Sequence, residues 1–145
     1  MKAKAILLLL VCAMFTRCGN QGSSPIIGTW QLINGKYISS DTTVDYPGNV
    51  NGNHWKIITK SHFATIYQDT TSNKFLSTGF NGGTYTYIDG IYTENFSHSS
   101  IANRQIGTKL SFKAKIEGDK LFISPYSKDG TEGKYGNFEE YKRLD

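Results

Sequence analysis

The residues that could support catalysis or bind a metal are few in this sequence, and their spacing suits neither role. The three histidines are His54, His62 and His98, and no two of them stand at a spacing typical of zinc ligands. Glu139 and Glu140 are adjacent, but neighbouring residues of a strand point to opposite faces, so these carboxylates cannot act together. The sequence also lacks a nucleophile elbow and a phosphate-binding glycine loop. It therefore predicts no enzyme, no metal site and no cofactor.

The two cysteines indicate covalent chemistry of another kind. Cys12 lies in an apolar run from Ala5 to Phe15, which follows a short basic head. This run has the length of a secretory signal core, whereas a membrane-spanning helix needs about 20 residues. Cleavage before Cys18 would leave that residue as the only cysteine of the exported chain. An odd thiol in an oxidising compartment is unusual, and attachment of lipid to the Cys18 sulfur would explain it.

The segment around Cys18 resembles the end of bacterial lipoprotein signal peptides, in the stretch Phe-Thr-Arg-Cys-Gly-Asn. The usual pattern has Leu three residues before the cysteine and a small residue directly before it, and here Phe and Arg take these places. The resemblance implies a signal peptide at residues 1–17, then a lipidated Cys18 and a flexible tether over residues 18–25. Gly19 after the cysteine implies the outer membrane as the destination. Ordinary secretion with a free thiol is the alternative.

The basic character of the whole chain, with 16 Lys and Arg against 12 Asp and Glu, comes largely from the signal segment. Lys2, Lys4 and Arg17 would leave with it, so the mature chain would carry 13 basic residues against 12 acidic ones. The remaining charges are scattered in sign along the chain. They do not form the basic patch that is typical of nucleic-acid binding.

Residues 26–145 are typical of β-strands joined by turns, and no stretch of useful length has the period of a helix. Asp89-Gly90 is the strongest hairpin signal, whereas residues 39–53 are predicted to be a loop and residues 81–83 a turn. About nine strands are predicted, at residues 26–37, 54–60, 63–68, 74–80, 84–88, 91–98, 109–116, 120–126 and 138–144. The expected fold class is all-β, an antiparallel up-and-down β-barrel of about 8–9 strands, with a sandwich as the alternative.

The first predicted strand contains Gly28-Thr29-Trp30, and a Gly-x-Trp at this place resembles the lipocalin and calycin signature. In that superfamily the Trp closes one end of the barrel and an Arg of the last strand packs across its ring. The resemblance therefore implies a structural pair of Trp30 and Arg143. A guanidinium over an indole contributes on the order of 1–2 kcal/mol when it is desolvated.

The chain resembles more closely the lipocalin-like domains of unknown function that occur on lipoproteins of Gram-negative bacteria. The shared motifs are the opening Gly-x-Trp-Gln-Leu at residues 28–32, Gly-Thr-Tyr at 83–85, Tyr-x-Glu at 92–94 and the terminal aromatic-Lys-Arg at 141–143. Their order and spacing cover nearly the whole mature chain. The resemblance implies one barrel domain at residues 26–145, and it implies no activity because that family has none assigned. The chain lacks the helix that follows the barrel in larger lipocalins.

Aromatic residues make up 13% of the chain, and many of them alternate with polar residues in the predicted strands. Strand alternation places several of them on one face, with one carboxylate among them. Glu94 is expected either inside the barrel, paired with Arg143, or outside in water. The candidate ligand-binding residues are Tyr85, Tyr87, Tyr92, Glu94, Phe112 and Tyr141.

Two functions fit these observations. In the first, the anchored barrel binds a small, partly apolar ligand, which requires an internal cavity of a few hundred Å³. In the second, the barrel is filled with side chains and serves as an interaction or inhibitor module in an envelope complex. That function requires a packed interior and an exposed apolar patch on the loops. The membrane is an expected partner in both, through the lipid anchor.

Overall fold

The computed structural model describes residues 24–47, 54–69, 77–100, 106–127, 131 and 133–145. The predictions for the signal peptide at 1–17, for lipidation of Cys18 and for most of the tether lie outside these residues. Within the described ranges all regular structure is β-strand, and no helix there is long and apolar enough to cross a membrane.

Nine antiparallel strands of the described residues form one sheet in the order β2-β1-β3-β4-β5-β6-β7-β8-β9, and β1 also pairs with β9. That last pairing closes a barrel of eight strands, to which β2 is added as an extra strand. The closed, all-β barrel predicted from the sequence is therefore confirmed. The strands are β1 (Gly28–Ile38), β2 (Thr43–Pro47), β3 (His54–Ile58), β4 (His62–Asp69), β5 (Ser77–Ile88), β6 (Ile91–Ser99), β7 (Lys109–Glu117), β8 (Lys120–Pro125) and β9 (Gly136–Arg143).

Strand β1 is long enough to pair with two strands along the same edge. Its first half, residues 28–31, pairs with β3, and its second half, residues 34–38, pairs with β2. Residues 39–53 were predicted to be a loop, and this prediction was wrong over β2. The error has a physical reason: a strand at the edge of the sheet has one partner, so it tolerates the Asp and Pro residues that weaken the strand pattern.

The predicted turn at residues 81–83 was also wrong, because β5 continues through it as one strand. A register shift lies between Gly82 and Gly83. A Cβ atom on Gly83 would collide with the carbonyl oxygen of Asn95 on β6. The glycine is needed here for close approach of two backbones, not for reversal of the chain.

The predicted hairpin at Asp89-Gly90 is confirmed. Ile88 and Ile91 are paired, and the two residues between them have φ values of 51° and 78°. Positive φ at both central residues is the requirement of a type I′ turn, which matches the twist of the flanking strands.

One end of the barrel is closed by Trp30, whose side chain is fully buried. Its Nε1 donates to the carbonyl oxygen of Ile26 at 2.9 Å. The guanidinium carbon of Arg143 lies 4.0 Å from the centre of the indole ring. The same guanidinium donates to the carbonyl oxygens of Ile27 at 2.8 Å and Pro25 at 2.7 Å. Arg143 therefore holds the segment that enters β1 against the closed end.

Candidate ligand site inside the barrel

The six candidate residues all lie on the inward face of their strands. Pairing across the strands joins Tyr85 to Glu94 and Tyr92 to both Tyr87 and Phe112. Tyr92, Glu94 and Tyr141 are buried, whereas the other three are partly buried against the core. All six therefore face the interior, including Glu94, for which the sequence left both an inward and an outward position open.

A buried ion pair lies at the middle of this cluster. Lys56 of β3 places its Nζ 2.7 Å from Oε1 of Glu94, and both side chains are only 5% exposed. For an inward Glu94, the sequence predicted Arg143 as the partner, and this was wrong. The partner is Lys56, because Arg143 is hydrogen-bonded to Ile27 at the closed end. Lys56 alternates with the inward Ile58, so strand alternation could have placed it inside.

Aromatic rings surround the ammonium group of Lys56. Its Nζ lies 5.3 Å from the ring centre of Tyr92, 5.7 Å from that of Tyr141 and 5.9 Å from that of Phe112. These distances are within the range at which a ring face attracts a cation. We call Lys56, Glu94 and these three rings the interior cluster. It accounts for four of the six predicted residues.

The other two candidates, Tyr85 and Tyr87, lie on β5 beside the interior cluster. The ring centre of Tyr85 is 5.5 Å from that of Tyr92, and its hydroxyl donates to the carbonyl oxygen of Thr59 at 2.7 Å. Thr59 follows the last residue of β3, so this hydroxyl is directed towards the closed end. Tyr87 packs against the hydrophobic core.

Among the described residues, two buried polar atoms of the site lack a well-formed hydrogen bond: Nε2 of His54 and the hydroxyl of Tyr92, which lies near the carboxylate of Glu94. An unsatisfied buried polar atom costs about 1–3 kcal/mol. Burial raises the pKa of Tyr92 well above its usual value, and the nearby carboxylate of Glu94 adds to the effect. The hydroxyl therefore keeps its proton and can donate it in a hydrogen bond.

His54 extends the site along β3, beyond the interior cluster. Its ring centre is 5.9 Å from that of Tyr67 and 6.1 Å from that of Tyr141. Burial lowers the pKa of His54, although the negative charge of Glu139 opposes the shift. Glu139 in turn accepts a hydrogen bond from the hydroxyl of Tyr141 at 2.7 Å. The imidazole is therefore neutral at pH 7, and one of its nitrogens can accept a hydrogen bond.

The lowered pKa of His54 has a consequence for stability. The unfolded chain binds a proton at His54 near pH 6.5, whereas the folded chain does so only at lower pH, so stability should fall as the pH drops below 6.5. One such group changes the free energy of unfolding by at most about 1.4 kcal/mol per pH unit. Urea unfolding between pH 7 and pH 5 would measure the slope. His54→Gln should flatten it; equal slopes in the wild type and His54→Gln would contradict the assignment.

A groove of about 650 Å³ lies on the outer surface, and its lining includes Glu139, the acceptor for the hydroxyl of Tyr141. It runs across β7, β8, β9, β1 and β2, and Nζ of Lys36 lies 5.5 Å from the ring centre of Phe138 within it. None of the six candidate residues lines it. Its outward-facing lining includes Lys36, Asp45, Lys113, Lys115, Phe122, Phe138 and Glu140.

In the described part of the chain, no three His, Cys, Asp or Glu side chains are grouped as a metal site requires.

Comparison with known proteins gives the fold. No family model matches the sequence, and no curated protein matches it. A lipocalin-like protein from Bacteroides uniformis is similar in structure, with a TM-score of 0.52 and 14% identity, over 81% of this chain and 97% of that chain. An uncharacterized protein from Bacteroides eggerthii has a TM-score of 0.52 and 12% identity, over 81% and 98% of the two chains. The chain therefore has a lipocalin-like fold.

Proposed function

We propose that this protein is an envelope lipoprotein, anchored at the outer membrane through Cys18, whose barrel binds a small, partly apolar molecule. The observation that carries the binding proposal is that two interior polar atoms lack a well-formed hydrogen bond: Nε2 of His54, and the hydroxyl of Tyr92, which among the described residues has only the nearby carboxylate of Glu94 as an acceptor. Buried polar groups of stable proteins are nearly always hydrogen-bonded. Both atoms are covered by neighbouring side chains, so a guest molecule that accepts from Tyr92 or donates to His54 would have to displace some of those side chains as it enters.

The interior cluster explains why such a guest would be partly apolar. Tyr92, Phe112 and Tyr141 supply ring surface, and burial of apolar area against them would supply most of the affinity. The ion pair of Lys56 and Glu94 is satisfied within the protein, and it fixes the position of the rings around it. Orientation of the guest would then come from one or two hydrogen bonds.

The anchoring part of the proposal is supported by the sequence. The basic head, the short apolar run and the single cysteine of the exported chain are the features of a lipidated precursor. The described chain begins at Ser24, next to the closed end of the barrel, where Arg143 binds Pro25 and Ile27. The tether would therefore reach the barrel at its closed end.

Native mass spectrometry of the chain purified from the bacterial envelope tests the binding proposal. We expect a bound mass that is released on denaturation. In Tyr92→Phe the retained fraction should be smaller, because one hydrogen bond is lost; its net value of about 0.5–1.5 kcal/mol weakens binding by up to about tenfold. Tyr37→Phe, at an exposed tyrosine of β1, is the matched control and should retain the wild-type fraction.

A bare mass in every growth condition would contradict ligand binding. That result would favour the second function, a filled barrel that contacts another envelope protein. The groove between Lys36 and Phe122 would then be the first surface to examine by crosslinking.

A further inference from the structure

The outer surface of the barrel carries a row of large apolar side chains. Trp55 of β3 is paired with Ile66 of β4, and Ile66 is paired with Phe80 of β5, so the three lie side by side across the sheet. Their exposed fractions are 40%, 37% and 46%. We call them the apolar row. Isolated exposed apolar residues are ordinary, whereas a contiguous set marks a contact surface.

A second row lies next to the apolar row, towards the closed end of the barrel. It consists of Ile57, Ala64 and Gly82, which are paired in the same way and half-buried. None of the six outward positions in the two rows carries a charge. This face of the sheet therefore offers a continuous uncharged surface, which differs from the outer groove with its lysines and acids.

Two lysines border the uncharged face. Lys142 of β9 is paired with Gln31 of β1, and Gln31 is paired with Trp55. Lys60 lies in the turn between β3 and β4, and both lysines are exposed. A Trp and other apolar side chains bordered by lysines are typical of surfaces that meet the headgroup region of a bilayer. The long lysine side chains can reach lipid phosphates while their stems cover apolar surface.

The position of this face relative to the anchor favours the same partner. The second row begins at Ile57, which is paired with Thr29, one residue after the start of β1. Five residues lie between Cys18 and Ser24, and the six Cα–Cα steps that join the two span no more than about 22 Å even when fully extended. A lipid at Cys18 would therefore hold this end of the barrel close to the membrane surface.

We propose that the apolar row docks on the lipid surface of the membrane to which the chain is anchored. Trp55, Ile66 and Phe80 would enter the interfacial region, with Lys60 and Lys142 at the level of the phosphates. The barrel would then lie with the outer face of β3, β4 and β5 against the bilayer. This inference rests on the proposed anchor at Cys18, and the test separates the two.

The test uses the two tryptophans of the chain, Trp30 and Trp55, which differ in environment. Trp30 is fully buried in the protein, whereas Trp55 lies in the apolar row. The full chain, purified from the envelope in detergent, is reconstituted into vesicles of phosphatidylethanolamine and phosphatidylglycerol with brominated acyl chains. We expect bromine to quench the emission of Trp55. The remaining emission of Trp55→Phe should be insensitive to bromine.

The second part of the experiment is a variant with a charge in the apolar row. Ile66→Asp should abolish the quenching of Trp55, because burial of a carboxylate in the interface is unfavourable. Ile106→Asp is the matched control: Ile106 is 65% exposed on the connection between β6 and β7, outside the face. This variant should be quenched as the wild type is.

The possible results distinguish lipid anchoring at Cys18 from docking of the apolar row on the bilayer. A chain that floats with the vesicles while bromine leaves its Trp55 emission unchanged retains the anchor and overturns docking of the apolar row. A chain that does not float overturns both. If Trp55 is shielded from water in the absence of lipid, and more strongly at higher protein concentration, a second copy of the chain covers the apolar row. That result also overturns lipid docking.

Discussion

Replacement of Lys56 with Met should lower the free energy of unfolding by about 3–5 kcal/mol. Glu94 would remain in the interior without the cation that lies 2.7 Å from it, among the rings of Tyr92 and Phe112. A buried carboxylate without a partner must either keep an uncompensated charge or take up a proton, and both are costly. Urea unfolding at pH 7, followed by circular dichroism, would measure the loss.

The double variant Lys56→Met/Glu94→Leu sharpens this prediction. Removal of both charges leaves neither group unpaired, so most of the lost stability should return, as it does when buried ion pairs are replaced by apolar residues of similar volume. The control is Lys115→Met, which breaks the exposed pair of Lys115 and Glu117. That change should cost less than about 1 kcal/mol. Equal effects of Lys56→Met and Lys115→Met would contradict the burial of the interior pair.

Trp30→Ala should also destabilise the barrel strongly, by about 3–5 kcal/mol. The change removes a fully buried indole, its hydrogen bond to Ile26 and the ring on which Arg143 packs. The cavity would open at the closed end, where the chain enters and β9 ends. Circular dichroism is the suitable signal here, since the mutation removes a fluorophore.

The other tryptophan provides the control for that experiment. Trp55 is partly exposed on the outer surface, so Trp55→Ala leaves no closed cavity and should destabilise the barrel much less than Trp30→Ala does. A comparable loss in the two variants would show that Trp30 does not have the closing role assigned to it.

Most of the barrel could be predicted from the sequence because its strands have one buried and one wet face. In β7 the buried Ala114 stands between the exposed Lys113 and Lys115, and this alternation marks both the strand and its orientation. The Asp89-Gly90 pair predicted the hairpin between β5 and β6, because both residues readily adopt the positive φ of its turn. Closure through pairing of β1 with β9 could be inferred only from the resemblance and from the advantage of having no exposed edge.

The two wrong predictions about the fold concern residues that occur in more than one kind of local structure. Gly82-Gly83 has the composition of a turn, yet Gly83 lies within a strand because the backbone of Asn95 comes too close for a side chain. Strand β2 contains Asp45 and Pro47, which are rare in central strands and acceptable at an edge. In both cases the deciding factor is a neighbouring strand, which local sequence does not reveal.

The candidate site could be predicted only in part, because some of its contacts also depend on strands that are distant in sequence. Alternation placed Tyr92 and Glu94 on one face but left open whether Glu94 faces the interior or water; Tyr92, Glu94 and Tyr141 are all buried. Lys56 was missed because a lysine is rarely buried unless it is paired, so strand alternation alone gives weak support for an inward lysine. Alternation allows an inward Lys56, but its pairing with Glu94 depends on closure of the barrel, which brings together residues 38 positions apart in sequence.

The position of β1 also determines how the barrel would respond to force. A pull on the chain at Ser24 would act along β1, which is hydrogen-bonded to β3 on one side and to β9 on the other over its first residues. Bonds on both sides of a strand pulled lengthwise are loaded together, whereas the bonds of a strand peeled from an edge break one after another. The two bonds from Arg143 to Pro25 and Ile27 would take the load first. A barrel pulled from this end should therefore resist unfolding more strongly than one pulled through an edge strand.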